Sequence, residues 1–228
     1  VYLARENPPI FSRGRSQYRS LKQFRRVDST DPAVIVIESV LGLLLREQGK
    51  SQKAASFLEQ AARRGEEVFG PKHARMSPIY TNLGLVREEQ GRYAEADSLF
   101  RLTMTIDRTI FEVDHPRIAD NWNRLGNLYL SWERPQQAYE AFAEEISRRE
   151  PRGPSPGLAI ALFKQGRALA ELERSPEAEA RLREARAMNN RFEAPDSLLA
   201  ENIRSQLATV YETQGRPKAA RRWQRDAP

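Results

Sequence analysis

Five small residues constrain this chain more than any other feature. Gly42, Gly84, Gly126, Gly166 and Ala208 follow one another at spacings of 42, 42, 40 and 42 residues. Each has an alanine twelve positions later, at Ala54, Ala96, Ala138, Ala178 and Ala220. A leucine or glutamine precedes the small residue every time (Leu41, Leu83, Leu125, Gln165, Leu207), and a breaker follows it. The breakers are Gly49, Gly91, Arg134-Pro135, Ser175-Pro176, and Gly215 with Pro217. A fixed period of this size marks a repeated supersecondary unit, and the spacing of apolar positions such as Leu83, Val86, Leu99 and Leu102 is helical. The unit is therefore two antiparallel helices, A and B, joined by a tight turn.

The small residue of helix A and the alanine of helix B are expected where the two backbones approach most closely, so that Gly126→Leu would clash at Ala138. Pro135, Pro176 and Pro217 fall in the first turn of helix B, where a missing N–H costs nothing. Gly49, Gly91 and Gly215 suit the left-handed conformation that often ends a helix. The predicted helices run 33–48 and 51–68, 77–90 and 92–112, 117–132 and 135–149, 157–173 and 176–190, and 197–214 and 217–226. The last is shorter than its siblings, as a terminal cap or a cut chain would be. One hairpin cannot bury both of its faces, so the repeats must stack into a right-handed α-solenoid, an all-α fold. The repeats are bounded at about 33–70, 75–115, 117–152, 157–194 and 197–228.

The linkers carry a second pattern. Phe69-Gly-Pro-Lys-His73 and Phe111-Glu-Val-Asp-His115-Pro116 each precede a helix A, followed by Tyr80-Thr-Asn82-Leu-Gly84 and Trp122-Asn123-Arg-Leu-Gly126. On these residues the sequence resembles the tetratricopeptide repeat, and within it the kinesin light chain class, widespread in bacteria. The resemblance covers about residues 33–228. Repeats four and five depart from it: Gln165 precedes Gly166, the linker from Pro151 to Gly157 lacks Phe and His, and Ala208 replaces the glycine.

The resemblance implies a protein-interaction scaffold whose helices A line a concave groove. The groove positions lie three and six before the small residue, and one, four and five after it. They select Thr81, Leu85, Glu88 and Glu89 in repeat two, and Asp120, Asn123 and Asn127 in repeat three. Repeat four offers Phe163, Arg167 and Glu171, and repeat five Asn202, Ser205 and Thr209. The asparagines stand out. Asparagine disfavours helix interiors, yet it offers a donor and an acceptor together to a peptide backbone. A protein or peptide partner is the expectation.

Other chemistry finds little support. The chain has no cysteine, which excludes disulfides, thiolate zinc sites and a cysteine nucleophile. His73 and His115 lie 42 residues apart in equivalent linkers, a placement that speaks for anchoring the linker to the next helix rather than for metal. Glu88-Glu89 and Glu144-Glu145 are read as solvated helix faces paired with Arg or Lys. There is no Gly-rich phosphate loop, and no enzyme or cofactor is expected. Trp122, Tyr129 and Phe142 read as core. Trp223 packs on its own helix A or serves a partner.

The net charge of +6 resides in residues 1–27, which hold seven basic side chains against Glu6 alone. Residues 1–14, with Pro8-Pro9 and Gly14, read as an extended arm. Residues 16–27 read as a short amphipathic basic helix with Tyr18, Leu21, Phe24 and Val27 along one side. Helix A of repeat one, VIVIESVLGLLL, is apolar nearly all round. The basic helix is expected to cap it, the alternatives being further repeats or a homodimer through this face. The arm also raises nucleic-acid binding as an alternative, but it lacks any recognised reading motif. A second alternative is a docking or sensing portion of a larger bacterial kinase or protease. The longest apolar run, 33–45, is shorter than the ~20 residues a bilayer span needs. A chain starting with Val reads as a processed product or a piece of a longer one. Cytoplasmic placement is the expectation, with the periplasm as the alternative.

Overall fold

Four of the five hairpins start at a side-chain cap, supplied by Asp31, His115, Ser155 and Ser197. In the computed structural model, which describes residues 31–192 and 197–225, Asp31 accepts from the Ala33 N–H at 2.8 Å, and Pro32 opens α1 (Pro32–Glu47). The helices that follow are α2 (Ser51–Phe69), α3 (Met76–Glu89), α4 (Tyr93–Ile110), α5 (Pro116–Ser131) and α6 (Pro135–Arg149). A 3₁₀ turn at Glu150–Arg152 leads to α7 (Pro156–Glu171), α8 (Ser175–Asn189), α9 (Leu198–Thr213) and α10 (Pro217–Arg225). Ser155 caps α7 by accepting from Leu158 N–H at 3.2 Å, and Ser197 caps α9 through Ala200 N–H at 3.3 Å. All ten helices among the described residues lie within two residues of the predicted bounds, and no strand occurs among those residues. The basic arm and the 16–27 stretch lie outside the described residues.

The chain divides into two compact units, 1–106 and 107–228. In the first, α1 packs on α2 and α2 on α3. Its core gathers Ile35, Leu58, Met76, Tyr80, Val86 and Ile106. In the second, α5 packs on α6, α6 on α7, α7 on α8, α8 on α9 and α9 on α10. There Leu162, Leu182, Ile203, Leu207 and Tyr211 form the core. Burying each such side chain contributes on the order of 1.5–3 kcal/mol.

The close approach inside a hairpin differs from the expected one. A Cβ on Gly42 would meet Leu58 at 2.5 Å, one on Gly84 would meet Phe100 at 2.5 Å, and one on Gly166 would meet Leu182 at 2.8 Å. On Gly126 all three nearest atoms belong to the Phe142 ring. The partner is thus the residue sixteen positions on, not the alanine twelve on, and Gly126→Leu would clash with Phe142 rather than Ala138. The reason is helical register. A large side chain one turn beyond the alanine reaches across and lies over the glycine, while the alanine itself is wholly buried (Ala138 is 0% exposed).

The turns between helices A and B share one geometry. Gly49, Gly91 and Gly215 have φ near +70°, and Glu133 and Glu173 at the equivalent positions are also left-handed, with φ of 55° and 58°. In each case the next N–H closes back on helix A: Lys50 to Leu45 at 2.9 Å, Arg134 to Tyr129 at 2.8 Å, Arg174 to Leu169 at 3.0 Å. Ahead of Pro135 and Pro176, two glutamates thus hold a conformation that suits glycine.

Candidate functional site

The histidines do structural work. Phe69 stacks on His73 with centroids 5.2 Å apart, and Phe111 on His115 at 4.3 Å. His73 Nδ1 accepts from Arg75 N–H and His115 Nδ1 from Arg117 N–H, both at 3.2 Å. Arg75 and Arg117 then lie over the same Phe rings, at 5.0 and 5.3 Å. Each imidazole stacks on its Phe and accepts from a backbone N–H two residues on, and His115 is the N-cap of α5 as well.

In the first unit the selected positions are partly occupied by internal contacts. Thr81 Oγ1 lies 3.5 Å from Thr103 Oγ1, at the limit of a hydrogen bond. Leu85 and Glu88 are half-buried, and exposed Glu89 pairs with Arg46 at 2.7 Å and accepts from Ser51 Oγ at 3.1 Å.

The second unit brings more together. Asn123 on α5 donates from Nδ2 to Glu145 Oε2 on α6 at 2.8 Å. Its Oδ1 accepts from Asn127 at 3.0 Å and from Lys164 Nζ of α7 at 3.3 Å. Arg149 donates to the other Glu145 oxygen at 2.8 Å and reaches Asp120 at 2.7 Å. Three predicted positions, Asp120, Asn123 and Asn127, thus join three residues that the groove positions did not select: Glu145, Arg149 and Lys164.

Glu145 corrects the sequence reading, because it is 1% exposed and not on a solvated face. It falls seven residues after Ala138 and three after Phe142, on the buried side of α6. Burial raises its carboxyl above the ordinary carboxylate value, against the Asn123 hydrogen bond and the Arg149 charge. Burial likewise lowers the Lys164 ammonium, against the Glu145 charge. A signal was available. The positions equivalent to 145 in other repeats are Ala61, Thr103 and Ala185, all buried, so only a packed site accommodates this glutamate. The pair Asn123–Glu145 also has the register of Thr81–Thr103.

The other selected residues stand apart from this network. Phe163 is half-buried and packs on the core of the second unit. Arg167 faces Glu171 at 4.0 Å, and burial raises the Glu171 carboxyl, against the Arg167 charge. Asn202, Ser205 and Thr209 are exposed on α9, with Thr209 Oγ1 donating to the Ser205 carbonyl at 3.2 Å. Tyr129 and Phe142 are core as expected, but Trp122 is half-buried. Guanidinium groups of Arg108 and Arg148 lie 5.7 Å from its ring. Trp223 stacks on Tyr211 of its own helix A at 6.5 Å.

Glycine-to-large contacts inside the first four hairpins and the packing of each helix A on its helix B define the class. The sequence profile of the tetratricopeptide repeat matches residues 34–109, 75–150 and 157–227, and the chain belongs to that family. Its fold is similar to that of a kinesin light chain-type protein of Podosopora anserina with nearly identical TPR-like repeats. That likeness is at 17% identity over 86% of this chain and 93% of that one, with a TM-score of 0.75. It is also similar to BtubC (BKLC) of P. vanneervenii, at 19% identity over 95% and 89% of the two chains and a TM-score of 0.73. A third likeness is to RapI in its apo form, at 12% identity over 93% of this chain and 57% of that one, with a TM-score of 0.75. No curated protein matches the sequence significantly. Tetratricopeptide repeats generally mediate protein–protein interactions, and the fold is typically a scaffold without chemistry of its own. No helix among the described residues is long and apolar enough to cross a membrane.

Proposed function

We propose that the chain is a non-catalytic adaptor, and that the second unit holds an extended segment of a protein partner across the exposed face of α5 and α7. The observation that supports this reading is the orientation of Asn123. A free amide on a helix surface samples several rotamers, and ordering it on binding costs entropy. Here Glu145, buried and ionisable, takes the Asn123 N–H, while Asn127 and Lys164 converge on its oxygen. The amide is held before any partner arrives. Asn127 beside it offers a second amide to a peptide backbone, and Arg167 stands on the neighbouring helix as a charged contact. Thr81, Leu85 and Glu88 in the first unit, and Asn202, Ser205 and Thr209 on α9, extend the reading to equivalent positions.

The test is an affinity pull-down with the wild-type chain and with Asn123→Ala/Asn127→Ala, followed by mass spectrometry. Partners recovered by the wild type and lost by the variant are then titrated by calorimetry. Far-ultraviolet circular dichroism checks that the variant is folded. A folded variant that recovers the same partners with unchanged affinity would refute the reading.

A further inference from the structure

Away from the network on α5 and α7, the second unit carries a different feature. A cleft of about 770 Å3 opens between α8, α9 and α10. Five basic side chains line it (Arg183, Arg186, Arg216, Lys218 and Arg222), and among the described residues no acidic one does. Outside residues 1–27 the chain has as many acidic as basic side chains, so this local excess is a departure from a neutral body.

The charges are not equivalent. Glu179, at the edge, pairs with Arg183 and with Arg216, each at 3.0 Å, and accepts from the Tyr211 hydroxyl at 2.9 Å. Arg186, Lys218 and Arg222 have no ion-pair partner among the described residues, and Lys218 and Arg222 are exposed. Three cations therefore line the cleft with no counter-charge among the described residues.

The aromatic residues decide what kind of anion fits. Tyr211 and Trp223 could stack nucleobases if their faces were open. Instead Arg186 lies 4.3 Å from the Trp223 centroid and Arg216 lies 4.6 Å from that of Tyr211, and the two rings stack on each other. The rings hold both guanidinium planes in place; Arg216 donates its N–H groups to Glu179 and Gln214, and the Arg186 edge is left to the visitor. Fixed guanidinium edges match carboxylates, which they bind in bidentate fashion. The lining residues on α8 and its C-cap run from Arg183 to Asn190. At 1.5 Å per residue that is about 10 Å, the length of about three residues of extended chain.

From this cleft we infer a second binding site, one that takes a short run of clustered Asp or Glu residues in a protein partner. It is independent of the Asn123 network and survives if that reading fails.

The experiment uses the full chain and fluorescently labelled hexaglutamate, with hexaglutamine and a six-nucleotide oligothymidylate as comparison probes, read by anisotropy at low salt. Hexaglutamate should bind at least about tenfold more tightly than hexaglutamine, since the attraction is between full charges. Lys218→Gln/Arg222→Gln should weaken hexaglutamate binding by about tenfold or more. Lys218→Arg/Arg222→Lys, which keeps both charges, should retain it. Hexaglutamate should also change the tryptophan emission, and Trp223→Phe should remove that change. Unaltered hexaglutamate affinity in the glutamine variant would overturn the site, because binding would then come from elsewhere, such as the basic arm. Oligothymidylate binding more tightly and being lost in the same variant would overturn the assignment to an acidic protein segment. Absence of hexaglutamate binding to the wild type would overturn both.

Discussion

The ring of Phe142 occupies the space that a Cβ on Gly126 would need. The two belong to the facing helices of one hairpin, and the same pairing recurs as Gly42 with Leu58, Gly84 with Phe100 and Gly166 with Leu182. Glycine in a helix interior ordinarily costs about 1 kcal/mol against alanine. That cost is accepted here because it brings two backbones together over a large buried side chain.

Gly126→Ala should therefore destabilise the second unit despite its better helix propensity. Phe142 is 0% exposed and its ring lies against the Gly126 backbone, so overpacking should cost about 1–3 kcal/mol. Thermal melts of Gly126→Ala, Phe142→Leu and the double variant would give the coupling. The double variant should be less destabilised than the sum of the singles, and strict additivity would place the clash elsewhere.

Glu133→Gly and Glu173→Gly should each raise the melting temperature. Both glutamates hold positive φ where three other repeats place glycine. Relief of that conformation should exceed the entropic cost of glycine in the unfolded chain, giving a net gain of about 0.5–1 kcal/mol. Gly91→Ala, at φ +71° with open space around it, should do the reverse. Scanning calorimetry of the three single variants tests this, and a lower melting temperature for both glycine variants would contradict it.

Gln165→Leu should be stabilising as well. Gln165 is 2% exposed, and its Oε1 has no hydrogen-bond partner among the described residues. The equivalent positions hold Leu41, Leu83, Leu125 and Leu207, all buried. An unpaired buried amide oxygen costs about 1–3 kcal/mol. Chemical denaturation should show a higher midpoint for the leucine variant, and a lower one would mean that the amide is satisfied.

Acid should reveal Glu179. Burial alone would raise its carboxyl, but hydrogen bonds from Tyr211 and Gln214 and the charges of Arg183 and Arg216 outweigh it and hold the group below its ordinary value of 4.5. Around that pH the folded chain then binds fewer protons at Glu179 than the unfolded chain does. Its stabilising contribution is complete above 4.5 and is lost as pH falls through the folded value. The melting-temperature gap between wild type and Glu179→Gln should be widest near neutral pH and should close in acid. A gap that widens in acid would show the carboxyl to be raised.

The helices were legible because their signals are local. Asp31-Pro32, Ser155-Pro156 and Pro135 mark starts through the physics of a cap or a missing N–H, and nothing distant alters them. Glu145 was not legible from its own neighbourhood, since Glu144-Glu145 next to Arg148-Arg149 looks like any solvated face. Its burial depends on the rotation of α6 against α5, and that rotation is visible only when the repeats are aligned on Phe142 and Ala138. Glu133 and Glu173 were hidden for a related reason. The fold imposes the left-handed turn there, and the local sequence does not advertise it.

The two registers inside a hairpin have different consequences for change over time. Where Gly126 meets Phe142, both partners must alter together or the hairpin opens. Where Asn123 meets Glu145, the other repeats place Thr81 with Thr103, Ser39 with Ala61, and Phe163 with Ala185, all within the same hairpin frame. Side chains at the second register differ from repeat to repeat while the packing at the first keeps one form. On the proposed reading, such a chain can acquire a new partner one repeat at a time without passing through an unfolded ancestor.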